Sequence, residues 1–373
     1  MPLRVIIIGA GVAGLTTAVS LRRAGHEVKI LERSTFAAEV GAALNLAPNG
    51  TRMLRELGFD EERAHCVQMM NWDTVNGVTL DRVACQDVSR ASERFGAPYV
   101  AVHRVDLHEE LMRLAAVNQP DGVVLHLSST VVQVYPEEGR VKLEDGSVEQ
   151  ADLIVGADGL HSVARAAVIS STAKFTGLSA FRFLVPTEVL ENDRAGRELL
   201  DWKTPGATMF VDPGSVAVDQ ERHLMWYPCR RQEPLGEVVK CWPLFQIDPL
   251  PTWARGKLVL IGDAAHPMLP FGGQGSNQAI EDGAAIGFLL ANVDDEAQVP
   301  QRLQLFDQVR RRRASRVQIL SSVRANREAV VEDKVKQFME DGVICGLTVS
   351  VNFHPWLILL VPNSFAARVA HDA

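Results

Sequence analysis

"RVIIIGAGVAGLTTAVSLRRAGHEVKILER" spans Arg4 to Arg33, and its reading decides the fold. Val5 to Ile8 is too short and too β-branched for a helix, so it reads as a buried parallel strand. Gly9, Gly11 and Gly14 follow in G-x-G-x-x-G spacing. Gly9 permits the tight turn, Gly11 leaves room for a phosphate against the backbone, and Gly14 lets the next helix lie close to the strand. That helix, expected from about Val12 to Ala24, aims its free N–H groups and positive dipole end at the turn, where a pyrophosphate fits. Gly25 ends it, Val28 to Leu31 form a second strand, and Glu32 stands 23 residues after Gly9. A carboxylate there accepts hydrogen bonds from both ribose hydroxyls of an adenosine. Strand, helix, strand and terminal acid in register point to dinucleotide binding. The motif alone leaves NAD and FAD both open.

The composition sets the surroundings of this unit. A chain of 373 residues holds one large domain or two interlocked ones, and 47% hydrophobic with 23% charged residues describes an ordinary globular protein. A net charge of -8 argues against nucleic-acid binding, which needs a basic face. The five cysteines form no C-x-x-C pair and are odd in number, which fits reduced thiols in a cytoplasmic setting. The ten histidines show no metal-ligand spacing, so no metal site is expected. The glycines of the opening run stand where the helical core of a secretory signal would lie, so none is expected.

Further along, Val40 to Gly50 (VGAALNLAPNG) reads as a loop, followed by a helix near Thr51 to Leu57. His103 to Ala115 has the spacing of an amphipathic helix. Val123 to Leu127, Val131 to Tyr135 and Val141 to Leu143 read as a meander. Asp152 to Gly156 and Lys257 to Gly262 read as two more buried strands, whereas residues 176–255 lose the βαβ rhythm and suggest a second, sheet-based unit. Gln301 to Asp341 reads as helical, with Arg310 to Arg313 expected on a solvated face.

The most informative later segment is "LIGDAAHPMLPFGGQGSNQAIEDGAA", Leu260 to Ala285. Asp263 emerges from a strand end, placed to accept a hydrogen bond from a polyol hydroxyl. Pro267 and Pro270 stiffen the loop. Gly272, Gly273 and Gly275 then let backbone approach a flat ligand at the start of a helix, whose positive end favours negative charge on that ligand.

Four motifs in order, GAGVAG with Glu32, HRVDL with Arg104, GADGLHSVAR and GDAAHPMLPFGGQG, give the chain its kinship. It resembles the FAD-dependent aromatic hydroxylases of the para-hydroxybenzoate hydroxylase fold, and looks closest to salicylate-hydroxylase-like monooxygenases, including fungal ones of secondary metabolism. The resemblance covers about residues 1–335. It implies an α/β fold: a Rossmann-like FAD-binding domain with an interleaved, sheet-based substrate domain and C-terminal helices. The FAD-binding part would comprise residues 1–70, 101–175 and 256–295, and the substrate domain 71–100 and 176–255. A helical region at 296–341 and an apolar tail at 342–373 would complete the chain.

The resemblance also implies roles. Arg104 would contact the pyrophosphate side of FAD, and Ala43 and Ser276 would touch the flavin through backbone. Asp263 would hold the ribityl chain, with Gly275 beside it at the helix start. Asp158, Gly159 and Arg165 form the motif linked with both FAD and NAD(P)H, and Pro270 would lie beside the flavin edge that reacts with oxygen. NAD(P)H would act as co-substrate without a Rossmann domain of its own, and no second G-x-G-x-x-G is present. Reduced flavin would react with O2 to a C4a-hydroperoxide that attacks an electron-rich aromatic ring. Arg182, in "SAFRFLVP", would stabilise a phenolate or carboxylate, and Tyr227, in "WYPCR", would orient it by hydrogen bond.

Two stretches depart from this pattern. Between Arg231 and Val238 the chain passes almost directly from "YPCR" to "KCWPLF", where relatives carry several dozen more residues. The substrate domain is therefore expected to be shortened near 232–236. Val343 to Pro362 is about 20 mostly apolar residues, long enough to approach a membrane span, although His354-Pro355 makes a continuous helix there costly. A flavin epoxidase of an isoprenoid, held to a membrane through this tail, and a catalytically impaired flavin-binding protein are the alternatives these departures raise.

Overall fold

The computed structural model describes residues 1–35, 43–197, 206–212, 222–229, 240–323 and 328–339. Its centre is a six-stranded sheet in the order Ala254–Arg255, Leu258–Leu260, Leu153–Gly156, Arg4–Ile8, Glu27–Leu31, Val124–His126. All neighbours are parallel except the two-residue edge strand Ala254–Arg255. The run Val5 to Ile8 is buried on both faces, as its unbroken β-branched sequence requires. It lies between its two parallel partners in the register Ile7↔Val155 and Ile7↔Ile30.

The helix Val12–Arg23 leaves the glycine turn and packs against a second helix, Gly275–Leu290. Glycines make that contact close. A Cβ on Gly283 would stand 2.8 Å from the backbone nitrogen of Thr17, and one on Gly287 only 1.9 Å from Ser20 Oγ. The long helix Val299–Leu320 then packs on Gly275–Leu290.

Three sequence readings change here. The stretch read as a loop contains the strand Ala43–Leu46, and the helix after it begins at Pro48, not near Thr51. Val123 to Leu127 does not join the meander; Val124–His126 is the outermost parallel strand of the central sheet, beside Glu27–Leu31. The helix Arg104–Leu114 carries the chain across the sheet, and a return in parallel register is what such a crossover produces. The meander is instead Val131–Tyr135, Arg140–Leu143 and Val148–Gln150. Arg310 and Arg313 are also not solvated: they are 2% and 8% exposed. Their guanidinium groups meet Glu281 and Asp282 on the neighbouring helix, so carboxylates and not water satisfy them.

Three smaller sheets stand beside the site. Ala43–Leu46, Val100–His103 and Val67–Gln68 form one. Trp226 and its strand His223–Trp226, with Gly206–Val211, Asn71–Asn76 and Arg82–Asp87, form a second. Lys174–Arg182 pairs antiparallel with Lys240–Gln246 in the third. A small core of Ala47, Met69, Trp72, Val88, Ala91, Tyr99, Ala101 and Ala207 joins the first two. The shortened stretch near 232–236 and the tail at 342–373 lie outside the described residues. Among the described residues, no helix is long and apolar enough to cross a membrane.

Candidate functional site

The glycine turn is built as its spacing requires. Gly9 has a φ of 104°, in the left-handed region that favours glycine, and its added Cβ would stand 2.5 Å from the carbonyl oxygen of Ala157. Gly11 caps the helix Val12–Arg23. A Cβ on Gly14 would come within 2.0 Å of the Gly9 carbonyl oxygen and 3.3 Å of Ile7, which is the close helix–strand approach that calls for glycine. Glu32 stands at the end of the second strand with one carboxylate oxygen 2.7 Å from the Ala10 backbone nitrogen and the other 2.8 Å from that of Ser34. The acid is thereby fixed against the turn. His108, buried, reaches the Ala10 carbonyl at 2.8 Å from the helix Arg104–Leu114, a contact no motif announced. Arg104 opens that helix and is half-buried.

Asp158 and Arg165 turn out to be bound into the fold. Asp158 accepts hydrogen bonds from Ser162 Oγ and from the backbone of Val163 and Ala164, and so caps the short helix Val163–Val168. Arg165 is 3% exposed and donates to the carbonyl oxygens of Leu160, Asp263 and Ala264. Burial pulls its guanidinium below the usual arginine value, while the charges of Asp158 and Asp263 act the other way. The chain thus uses one motif to hold another: Arg165 grips the backbone from which the exposed Asp263 side chain projects.

The same turn is held from behind. Asp282 accepts from the Gly262 backbone at 3.0 Å and from His266 Nε2 at 2.6 Å on one oxygen, and from Arg310 Nε at 2.9 Å on the other. Glu281 accepts from Arg310, from Arg313 at 2.7 Å, from Asn49 at 2.7 Å and from Gln278 at 3.0 Å. Burial alone would raise both carboxyls. The charges of Arg313 and Arg310 hold Glu281 well below the usual carboxylate range, and those of His266 and Arg310 hold Asp282 below it.

Gly275 and Ser276 form the first turn of the 16-residue helix Gly275–Leu290, with Pro270 exposed at the head of the preceding 3-10 turn. Asn277 is fully buried one residue further on. Its side chain accepts from the Ala47 backbone at 2.9 Å and donates to the carbonyls of Asn45 at 3.1 Å and Gly273 at 2.9 Å. This residue binds the glycine loop to the strand Ala43–Leu46. Sequence reading passed over it, although its position inside the motif, next to Ser276, was a signal.

Tyr227 sits half-buried on the other side, and its hydroxyl donates to the Ala43 carbonyl at 2.6 Å. Burial pushes its phenol up to about 12, against a smaller opposing effect of the Arg182 charge, so the hydroxyl stays protonated and donates at neutral pH. Its partner among the described residues is therefore backbone of the strand Ala43–Leu46. Arg182 ends the strand Lys174–Arg182 and is exposed.

A dinucleotide turn, a carboxylate fixed beside it, a second exposed carboxylate at a strand end and a helix N-terminus facing a glycine loop together fit FAD. Residues 2–227 and 249–321 match the family model of the FAD-binding domain, and the chain belongs to that family of FAD-dependent aromatic hydroxylases. Within it the chain is an FAD-dependent monooxygenase. It is 35% identical over 361 residues to the FAD-dependent monooxygenase phomE' of Diaporthe leptostromiformis, covering 83% of this chain and 89% of that protein. It is 34% identical over 308 residues to the 3-amino-4-hydroxybenzoate 2-monooxygenase of Streptomyces cremeus, covering 75% and 76% respectively. A solved salicylate hydroxylase, in complex with substrate, matches with a TM-score of 0.65 at 27% identity over 86% of this chain and 87% of that one.

Proposed function

We propose that this enzyme hydroxylates a phenolic or aromatic-acid substrate, using NADH or NADPH as electron donor and O2 as oxygen source. The observation that carries this reading is the aromatic core packed under the strand Ala43–Leu46. Trp72 and Tyr99 pack edge to face at 6.2 Å, Tyr227 and Met225 pack on the same small core, and Tyr227 is tied to Ala43 on that strand. Tyr227 is only half-buried, so a ring can meet this core there, and Arg182, whose charge is felt at Tyr227, supplies the positive partner for a phenolate or carboxylate.

In this reading Gly9, Gly11 and Gly14 admit the pyrophosphate, Glu32 holds the adenosine ribose and Arg104 lies on the pyrophosphate side. Asp263 accepts from the ribityl hydroxyls. Gly275 and Ser276 would hold the flavin at the helix N-terminus, whose dipole favours negative charge there. Ala43 offers backbone, and Pro270 shapes the edge where oxygen reacts. Bound FAD supplies the electron storage and oxygen activation that no side chain provides. Asp158 and Arg165 act by holding the Asp263 turn in place. Arg182 keeps the ring oxygen anionic and therefore electron-rich, and the apolar core excludes water from the reacting face.

The test is NAD(P)H oxidation by the FAD-loaded protein in the presence of phenolic acids, with oxygen uptake and product analysis. Aromatic-stimulated oxidation giving a hydroxylated ring is the expected result. Hydrogen peroxide as the sole product would mark an impaired flavoprotein, and turnover of isoprenoids to epoxides would replace the aromatic reading.

A further inference from the structure

One polar group beside the aromatic core has no task in the cradle described above. Asn45 lies in the strand Ala43–Leu46, directly opposite Ala101 in antiparallel register. Opposed residues of an antiparallel pair project to the same face of the sheet. Ala101 belongs to the small core with Trp72, Tyr99 and Met69, on which Tyr227 packs, so the Asn45 side chain projects towards that aromatic face. The residue is 8% exposed, and its amide oxygen has no hydrogen-bond partner among the described residues. Its backbone is committed: the carbonyl accepts from Asn277, and the strand is laddered to Val100–His103.

A buried acceptor without a donor is unfavourable unless a ligand supplies one. The side chains of the adjoining core are apolar or aromatic, so the missing donor is expected on a ligand. We propose that Asn45 is a specificity-determining residue that accepts a hydrogen bond from a ring hydroxyl or ring amino group of the aromatic substrate. The proposal rests on the aromatic-acid reading of the site and adds to it. Arg182 recognises the anionic group, whereas Asn45 recognises a neutral donor elsewhere on the ring. Substrates lacking that donor leave the amide oxygen buried and unpaired, which is how a polar group discriminates between rings of nearly equal size.

The test compares the FAD-loaded wild type with Asn45→Leu, which keeps the branching at Cγ and removes the acceptor. Benzoate and the three monohydroxybenzoate isomers are titrated, with binding read from the perturbation of the flavin absorbance bands. The wild type is expected to bind one hydroxylated isomer about tenfold more tightly than benzoate. Asn45→Leu should lose that preference, with benzoate affinity, FAD retention and melting temperature unchanged. A preference that survives in Asn45→Leu overturns the assignment and leaves the aromatic-acid reading standing. Equal weakening of all four acids makes Asn45 a packing residue, and loss of FAD makes it a flavin contact; either overturns the assignment. If the wild type binds none of the four, the aromatic-acid reading falls and the assignment falls with it.

Discussion

The two walls of the site are built on opposite plans. On the flavin side, each polar group at the turns is held by several buried partners: Asp282 by three, Asn277 by three backbone groups, Arg165 by three carbonyls. On the facing wall, Arg182 is exposed and Tyr227 makes one bond to the Ala43 carbonyl. A cofactor of fixed shape rewards a rigid, fully satisfied cradle, because nothing then needs reorganising when it binds. In the proposed reading, a wall that receives a ring keeps charge and acceptors uncommitted. Multiplicity of partners therefore separates groups that shape the site from groups that meet the ligand.

The contrast breaks most visibly where a buried charge is orphaned. Arg310→Met leaves Glu281 and Asp282 buried with one cation fewer, and should cost about 3–5 kcal/mol in urea unfolding of the holoprotein. The same cluster sets an acid limit. Glu281 and Asp282 titrate below the ordinary carboxylate range when folded, so their contribution is present above about pH 4 and is lost as pH falls through the folded values. Removing the Arg310 charge raises those folded values, and the acid-unfolding midpoint should move to higher pH. A midpoint that stays put means the arginine is merely packed.

Next in size is Arg182→Ala. Productive hydroxylation should fall by about a hundredfold or more, equivalent to losing one charge-stabilising donor, while FAD stays bound. Electrons from NAD(P)H would go to hydrogen peroxide, and Arg182→Lys should restore coupling only in part because an ammonium lacks the planar fork. Unaltered coupling in Arg182→Ala would remove the residue from the site. Glu32→Ala follows, with FAD affinity expected to drop about tenfold to a hundredfold, or roughly 1.5–3 kcal/mol, by equilibrium titration of apoprotein. The smallest effect sharpens the comparison most. Tyr227→Phe removes a single hydroxyl and should cost about 0.5–1.5 kcal/mol in thermal or urea unfolding. If coupling also collapses while the stability loss stays small, Tyr227 meets the substrate as well as the strand.

The flavin wall was largely legible in the sequence because glycines are demanded by backbone geometry. Gly9 and Gly14 sit where a side chain would strike backbone oxygen, and no other residue type solves that. The places of Glu32 and Asp263 just beyond strand ends were legible too. Partners remote in the chain were not. The spacing of Arg310 to Arg313 speaks of a helix and says nothing of Glu281 and Asp282 on a neighbouring one, so the arginines read as solvated. Val124–His126 looked like a hairpin member because alternation over three residues does not reveal which strand lies beside it. The bonds of Asp158 to Ser162, Val163 and Ala164 were hidden for a similar reason, because they depend on a turn that only the folded chain displays.

The close glycine-lined seam between Val12–Arg23 and Gly275–Leu290 has a bearing on biosynthesis. Ser20 is added to the chain 267 residues before its neighbour Gly287. At about 5–20 residues per second, the apolar flank of the first helix stays uncovered for roughly 13–53 s during translation. One partner of the strand Arg4–Ile8, Leu153–Gly156, and the strand Leu258–Leu260 beyond it also follow late in synthesis. The nucleotide turn is therefore among the first elements synthesised and among the last to be enclosed, and nascent chains stalled before residue 290 should be good clients for a holdase chaperone.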